Sequence, residues 1–308
     1  MGKRYLKTEE EAWEYRERMR RRKKRRLRRK IRNGCHLLFL CLVLFLSVWL
    51  LNLYLKNTSF QGFGVFKSES GNLSAPVSRT SDEIYQFIKE ESADSTDYQY
   101  ILDHYDKYPE EILSALANNP EMLDFVTGYL TQKSSESHEL TKKEKKNKHP
   151  LFLQWDTRWG YDAYGESCIG LSGCGPTCLA MVIHMLDEDS ELTPADVAQF
   201  ADVQGYYVED TGTSWTLMTE GAAKYGITGT ELALSQNVME NALDVGKPII
   251  CALRAGDFTT SGHFIVIYDY DKDGFQVHDP NSTIRSEKSW TYEELMGQIK
   301  NLWAFSKQ

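Results

Sequence analysis

An unbroken apolar run from Leu37 to Leu55 constrains this chain more than any other feature of its sequence. Only Ser47 and Asn52 are clearly polar within it. As an α-helix the run would extend roughly 28 Å at about 1.5 Å per residue, which is close to the thickness of the hydrocarbon core of a bilayer. We therefore predict that residues 36–55 form a transmembrane signal anchor.

The distribution of charge predicts how this segment is oriented. The first 33 residues contain 16 of the 36 Lys and Arg residues, but only five of the 44 Asp and Glu residues. Basic segments next to a membrane span stay on the cytoplasmic side. Residues 1–35 are therefore predicted to be a cytoplasmic tail, and the rest of the chain to be extracellular, as in a single-pass type II protein of the cell membrane. Because the span follows directly, we expect the basic run to contact anionic lipid head groups and not nucleic acid.

A cleaved signal peptide is the alternative to an anchor. Its apolar region is usually about 7–15 residues long and is followed by a small-x-small cleavage site. The run here is longer, and Leu53-Tyr54-Leu55-Lys56 offers no such site. The sequence favours an uncleaved anchor.

Composition divides the chain beyond the anchor into further segments. Residues 56–80 are polar and rich in Gly and Ser, which is typical of a stalk. In residues 81–131 apolar side chains recur at helical spacing, which predicts a small helical module whose apolar stripes are packing faces. This module is a candidate for binding a protein partner. Residues 132–149 are rich in Lys, Glu and Ser without periodicity and are predicted to be a solvated linker.

Residues 150–308 change from helical to strand periodicity along the chain. Helices are expected at 176–186, from Thr193, and at 215–225 and 238–245. Strands are expected at Pro248–Leu253, His263–Tyr268, Phe275–His278 and Leu302–Phe305. Helices followed by strands predict one α+β domain with an antiparallel sheet.

Cys174 is the candidate nucleophile. It lies in Gly173-Cys174-Gly175-Pro176, where the glycines are expected to permit a tight turn and close approach of a substrate. Pro176 suits the first position of a helix, which places Cys174 at a helix N-terminus. That position favours a thiolate and supplies N–H groups for an oxyanion. The alternatives are a buried structural thiol or a disulfide with Cys168.

A cysteine nucleophile needs a base, and the base needs an orienting group. His263 follows a glycine and begins an apolar strand. Asp279 ends the next strand, and a hairpin turn at residues 271–274 would bring the two together. Asp269 lies near the turn and is the poorer candidate, and His278 points to the opposite face of the sheet. Gln154, in an aromatic segment upstream, is the candidate donor to the oxyanion.

The sequence indicates no cofactor, and metal binding is a weak alternative. Cys168, Cys174, Cys178 and His184 do not have the spacing of a zinc site. The acidic segment 269–274 lacks the Glu that a calcium loop has at its twelfth position. A hairpin turn explains that segment better.

Four motifs in order resemble cysteine-peptidase family 39, and in particular its membrane-anchored bacterial family 39-like branch. The motifs are Gln154-Trp155-Asp156 with Trp159-Gly160, Gly173-Cys174-Gly175-Pro176-Thr177, Gly262-His263-Phe264-Ile265-Val266 and Asp279-Pro280. The resemblance covers residues 150–308. It implies a papain-like α+β fold and a catalytic set of Cys174, His263, Asp279 and Gln154 acting on a peptide or protein substrate.

The chain also departs from the best-known members of that family. Those members are joined to ABC transporters and cut precursors after a double-glycine leader, and their Gln lies only a few residues before the Cys. Here twenty residues separate Gln154 from Cys174, and the chain contains no P-loop motif. We expect a membrane-anchored, extracytoplasmic cysteine peptidase. The alternatives are a catalytically inactive domain that binds peptides or acts as a scaffold, and a redox or metal protein.

Overall fold

The computed structural model describes residues 73–131, 138–209 and 211–308. All of them belong to one compact unit, Ser70–Gln308. No helix within these three ranges is both long enough and apolar enough to cross a membrane. The predicted tail (1–35), the predicted anchor (36–55) and most of the predicted stalk (56–80) lie outside the described residues.

Residues 81–131 form the predicted helical module. Thr80 begins it with a capping box, in which its hydroxyl accepts from the Glu83 N–H and the Glu83 carboxylate accepts from the Thr80 N–H. The α-helices are α1 (Ser81–Glu91), α2 (Thr96–Asp103), α3 (Glu110–Asn118) and α4 (Leu123–Gly128). Single 3₁₀ turns at Tyr105–Lys107 and Pro120–Met122 connect them.

The apolar stripes of the module are packing faces, as predicted. Ile88, Ile101 and Leu116 are fully buried. Their cluster also contains Tyr161 and Cys168, which lie beyond the linker. The module therefore shares a hydrophobic core with the domain that follows it.

The described part of the predicted solvated linker, residues 138–149, is mostly exposed, but two contacts attach it to the domain. Leu140 is buried against the domain core. A short helix, α5 (Lys142–Lys145), follows, and the Glu144 carboxylate accepts two hydrogen bonds from the Arg158 guanidinium at 2.9 and 2.7 Å. One buried apolar side chain and one bidentate ion pair attach this segment to the domain. Composition alone does not reveal either contact.

The C-terminal domain has one long, buried helix and several short ones. The predicted helix at 176–186 is observed as α7 (Cys174–Leu186), and Thr193 caps the next helix, as expected. The segment predicted as one helix at 215–225 is a 3₁₀ turn (Trp215–Met218) followed by a short helix. The other helices are α6 (Ile169–Ser172), α8 (Pro194–Val203), α9 (Glu220–Ala223), α10 (Gln236–Asp244), α11 (Thr283–Ser286) and α12 (Tyr292–Met296).

A six-stranded antiparallel sheet confirms the α+β fold class. Two small hairpins accompany it, β1 (Ala163–Tyr164) with β2 (Ser167–Cys168) and β3 (Tyr207–Val208) with β4 (Gly212–Thr213). The main sheet has the order β5-β10-β6-β7-β8-β9. Its strands are β5 (Ile227–Glu231), β6 (Ile249–Arg254), β7 (Gly262–Asp271), β8 (Gly274–His278), β9 (Ser289–Trp290) and β10 (Ile299–Lys307).

Both faces of the central strands are covered. On β7, Phe264 and Val266 join the core that contains α7, whereas Ile265 and Ile267 join the core that contains α10 and α12. This explains why the central strands are continuous apolar runs in the sequence. The edge strand β5 (Ile227–Glu231) was not predicted, because its residues are mostly polar and exposed.

Candidate active site

Cys174 is the first residue of α7, with Gly173 as the residue before the helix. The first N–H groups of an α-helix have no partner within the helix, and the helix dipole adds partial positive charge there. The thiol is half-buried and lines a cleft in the surface. The prediction of a cysteine at a helix N-terminus is confirmed, although Pro176 is the third helical residue and not the first.

The glycines beside Cys174 permit the predicted tight turn, because Gly173 is the single residue between two helices, but they do not leave space for a substrate. Gly173 has a φ of −85°, so no left-handed turn is present. A Cβ on Gly175 would lie 2.7 Å from the Thr213 hydroxyl, and one on Gly173 would lie 2.5 Å from the Ile169 side chain. The glycines let the chain around Cys174 pack against its own neighbours. Open space of the kind a substrate needs occurs instead at Gly262, where a Cβ would approach only one backbone atom, at 3.9 Å.

His263 and Asp279 lie together as the predicted hairpin requires. Strands β7 and β8 pair with their turn at Lys272 and Asp273. His263, at the start of β7, and Asp279, just after β8, are therefore at the end remote from the turn. Nε2 of His263 lies 2.7 Å from Oδ1 of Asp279. This geometric prediction is confirmed.

The surroundings of His263 favour its protonated form. Burial opposes the charge and lowers the pKa of His263, but the charge of Asp279, its hydrogen bond and the neighbouring Cys174 thiol together raise the pKa to about 10. Because Asp279 occupies Nε2, the other ring nitrogen, Nδ1, is left for the thiol. The arrangement is a buried imidazole beside a carboxylate and a thiol.

Asp279 is fully buried and is held from several sides. Its Oδ1 also accepts a hydrogen bond from the backbone N–H of Asn281 at 2.8 Å, and its Oδ2 lies 3.6 Å from Nη1 of Arg285. Sequence reasoning missed Arg285, which is itself buried. Nothing in its local sequence indicates that it reaches Asp279.

Gln154 contacts α6, the helix before Cys174, and is not among the residues that line the cleft. Its Nε2 donates to the carbonyl of Gly170 at 2.9 Å, and its backbone N–H donates to the carbonyl of Pro280 at 2.7 Å. The side chain is buried, with its Oε1 lacking a hydrogen-bond partner among the described residues. Gln154 thus connects the segment before Cys174 with the segment after Asp279, and one N–H of its amide is not used in the bond to Gly170.

Cys174 and His263 line a cleft of about 940 Å³. The C-terminal domain contributes aromatic and polar side chains to its lining, including Tyr207, Trp215 and Lys300. Pro109, Glu111 and Tyr129 of the helical module line it as well. The module therefore forms part of the cleft that contains the thiol.

The other described cysteines and His278 have structural surroundings. Cys168, Cys178 and Cys251 are buried and free, and burial raises the pKa of each thiol. His278 packs on the ring of Tyr268 at 4.2 Å between centroids. Within the described ranges no three His, Cys, Asp or Glu side chains are grouped so that they could hold a metal ion.

Comparisons with known proteins find similarity to the C-terminal part of the chain. No curated protein matches it. The peptidase domain of Streptococcus ComA, a bi-functional ABC transporter involved in a quorum sensing pathway, is 20% identical with a TM-score of 0.37, covering 52% of this chain and 99% of that one. A C39-like peptidase from Bacillus anthracis is 14% identical with a TM-score of 0.32, covering 52% and 95%. Residues 146–308, which include the Cys174 helix and the His263–Asp279 hairpin, match the model of the Peptidase_C39 like family, and the chain belongs to that family.

Proposed function

We propose that this chain is a cysteine peptidase that hydrolyses peptide bonds in the Cys174 cleft. The observation that carries the proposal is the position of His263, which is hydrogen-bonded to the Asp279 carboxylate and lines the same cleft as the Cys174 thiol. A nucleophile, a base and an orienting group in that order are what acyl transfer through a thiolate requires. Membership of a C39-like peptidase family supports the same reaction class.

We assign one role to each group. The imidazolium of His263 stabilises the Cys174 thiolate, which attacks the substrate carbonyl and forms a covalent bond to its carbon. His263 then gives its proton to the leaving amine, and the acyl group stays on sulfur. In the second half, His263 takes a proton from water, the resulting hydroxide attacks the thioester, and the acid is released with the thiol restored. Asp279 keeps the ring nitrogens in their places throughout.

Two groups are assigned to the oxyanion. The backbone N–H of Cys174 is the first in its helix and is free of an intrahelical partner because of that position. The second donor is the remaining N–H of the Gln154 amide, whose other N–H is fixed by Gly170. A neutral donor held in place stabilises a developing negative charge without reorganisation.

The substrate class follows from the shape of the cleft. The cleft is open and about 940 Å³ in volume, with an exposed glycine, Gly262, next to the base. An extended peptide is the ligand that such a groove accommodates, with the aromatic side chains of Tyr207 and Trp215 available to its side chains. The substrate we propose is a peptide or an exposed segment of a protein.

The proposal includes attachment to the cell membrane. The apolar run at 36–55 and the basic tail before it support a single-pass anchor with the peptidase outside the cell. Intact cells that express the full chain test this orientation. External protease should remove the C-terminal domain and leave the N-terminal tail protected, and a domain that becomes accessible only after cell lysis would contradict it.

Alkylation of Cys174 tests the chemistry without knowledge of the substrate. The full chain is treated with iodoacetamide from about pH 4 to about pH 9, and the labelled residue is located by mass spectrometry. We expect rapid labelling of Cys174 well below the ordinary thiol pKa of about 8.5. His263→Ala should abolish the rapid reaction at low pH.

His138→Ala is the matched control. His138 also pairs with an aspartate, Asp162, at 2.6 Å, but it does not line the cleft. We expect this variant to label like the wild type. If wild-type Cys174 reacts only as an ordinary thiol does, the alternative of a catalytically inactive domain that binds peptides is the better explanation. A peptide library cleaved by the wild type and not by Cys174→Ala would complete the assignment.

A further inference from the structure

The turn between α3 and α4 of the helical module contacts the segment that follows Asp279. The Glu121 carboxylate accepts hydrogen bonds from the Ser282 hydroxyl and from both the backbone N–H and the hydroxyl of Thr283. The amide of Asn119 donates to the backbone carbonyl of Asn281. The module therefore holds residues 281–283 with one carboxylate and one carboxamide.

Two of these three residues contact Asp279, and one of them, Asn281, contacts its carboxylate. The backbone N–H of Asn281 donates to Oδ1 at 2.8 Å, and Oδ1 is the oxygen that faces His263. The backbone N–H of Ser282 donates to the carbonyl of Asp279. A displacement of residues 281–283 would therefore move the oxygen that fixes the base.

The C-terminal domain contacts residues 280 and 281 from the other side. The indole N–H of Trp155 donates to the Asn281 carbonyl at 3.0 Å, and the Gln154 N–H donates to the Pro280 carbonyl. Asn281 is thus held between Trp155 and Asn119. Ser282 and Thr283 are hydrogen-bonded to Glu121 instead, and neither Trp155 nor Gln154 duplicates that contact.

Apolar packing fixes the module in this position. Phe125, on α4, stacks on Tyr161 with ring centroids 4.8 Å apart, and the Tyr161 hydroxyl donates to the Phe125 carbonyl at 2.9 Å. Phe125 is fully buried. Glu121 is four residues before Phe125, so the packing of Phe125 also fixes the position of the Glu121 backbone.

We infer that Glu121 is a positioning residue for the Cys174–His263–Asp279 site, acting through residues 281–283. The helical module lies before the segment that matches the family model, and in this inference it is part of the active site. Its residues Glu111 and Tyr129 line the cleft. Its residue Glu121 fixes the position of His263 through residues 281–283 and Asp279. This inference rests on the proposed peptidase function. That the module also binds a separate protein partner remains a prediction.

The inference is tested in the full chain with Glu121→Gln and Glu121→Ala. Loss of the carboxylate frees residues 281–283, so Asp279 holds His263 less firmly and the imidazolium is less stable. We expect the midpoint of the pH profile for iodoacetamide labelling of Cys174 to rise by about one unit, which corresponds to about a tenfold slower reaction below the midpoint. The pKa of His263, measured by NMR on histidine-labelled protein, should fall by a similar amount.

Glu83→Gln is the matched control within the module. The Glu83 carboxylate also completes a capping interaction with a threonine, Thr80, but it does not contact residues 279–286. It should destabilise the module without moving the labelling midpoint or the pKa of His263. Glu121→Asp, which keeps the charge, should restore part of the wild-type profile.

The outcomes separate the two proposals. An unchanged labelling midpoint and His263 pKa in Glu121→Ala, or an equal shift in Glu83→Gln, would overturn the positioning role. If wild-type Cys174 shows no reactivity at low pH while the His263 pKa still falls in Glu121→Ala, the positioning role stands and the peptidase function fails.

Discussion

Nη1 of Arg285 lies 3.6 Å from Oδ2 of Asp279, and both side chains are buried. Neither atom has a hydrogen-bond partner within the described residues, so charge holds the pair together. The other carboxylate oxygen of Asp279 faces His263. When His263 is protonated, the Asp279 carboxylate therefore lies between two positive charges.

Removal of Arg285 should destabilise the fold. Arg285→Met leaves Asp279 with one cation fewer in a buried site, and breaking a buried ion pair costs about 3–5 kcal/mol of the free energy of unfolding. The pKa of His263 should rise, because a nearby positive charge is lost. Urea unfolding and histidine NMR measure the two effects. Arg254→Met, at an exposed position, should change stability by less than about 0.5 kcal/mol. Equal losses in the two variants would argue against the buried pair.

Removal of the Asp279 charge should switch off reactivity at low pH. In Asp279→Asn the burial of His263 is no longer offset by a carboxylate, so its pKa should fall and the imidazolium should be lost near neutrality. Labelling of Cys174 below about pH 7 should slow by at least about tenfold, the factor for one pKa unit. Asp269→Asn, near the turn of the same hairpin and exposed, is the control. Comparable slowing in that variant would contradict the assignment of Asp279.

His278 should make the protein less stable in acid. Burial, which outweighs a hydrogen bond with the His149 carbonyl, lowers the pKa of His278 to about 4. In the unfolded chain this histidine takes up a proton near pH 6.5, whereas in the folded chain it does not until about pH 4. Its contribution therefore lowers the free energy of unfolding progressively as the pH falls from about 6.5 to about 4.

Urea unfolding of His278→Gln against the wild type isolates this effect. The variant should be the less stable protein at neutral pH, by about 1 kcal/mol or more, because it loses the ring packed on Tyr268. The difference between the two proteins should then shrink as the pH is lowered. A difference that stays constant between neutral pH and pH 4 would mean that His278 does not titrate as described.

A methyl group at Gly170 should disrupt the contact between module and domain. A Cβ there would lie 2.4 Å from the Phe125 ring. Overpacking of this kind costs about 1–3 kcal/mol, so Gly170→Ala should lower the free energy of unfolding by that amount. Phe125→Leu should relieve part of the loss in the double variant, with a coupling energy of at least about 0.5 kcal/mol.

The control for this cycle is Gly297→Ala. A Cβ at Gly297 would meet no atom within 4 Å, and its φ is −70°, so the substitution should be nearly neutral. Additive effects of Gly170→Ala and Phe125→Leu would show that the two positions are not in contact.

Local patterns predicted the two elements that carry the candidate site. A glycine and a proline beside an apolar run indicated a helix starting near Cys174, and two apolar strands around Asp271-Lys272-Asp273-Gly274 indicated the hairpin. A hairpin brings the start of its first strand and the end of its second strand to the same end of the pair, so His263 and Asp279 could be placed near each other from sequence alone. The anchor at 36–55 and the catalytic role of each residue remain predictions.

The sequence does not show why individual residues are required at their positions. The glycines around Cys174 were assigned to a turn and to the substrate, but they are required by Ile169 and Thr213, two side chains on other elements. The described part of the predicted linker is mostly exposed, but its composition does not reveal that Leu140 is buried. Periodicity reports which face of an element is apolar, and does not report which neighbour covers that face.

The sequence by itself determined the α+β class, the order of Cys, His and Asp, and the pairing that brings the base to its carboxylate. Only the tertiary structure decided that Arg285 balances Asp279 and that Glu121 holds the segment between them. Glu121 and Thr283 are 162 positions apart in the chain. A contact over that separation depends on how the helical module packs against the C-terminal domain. Helical and strand periodicities of 3.6 and 2 residues carry information only about neighbours along the chain.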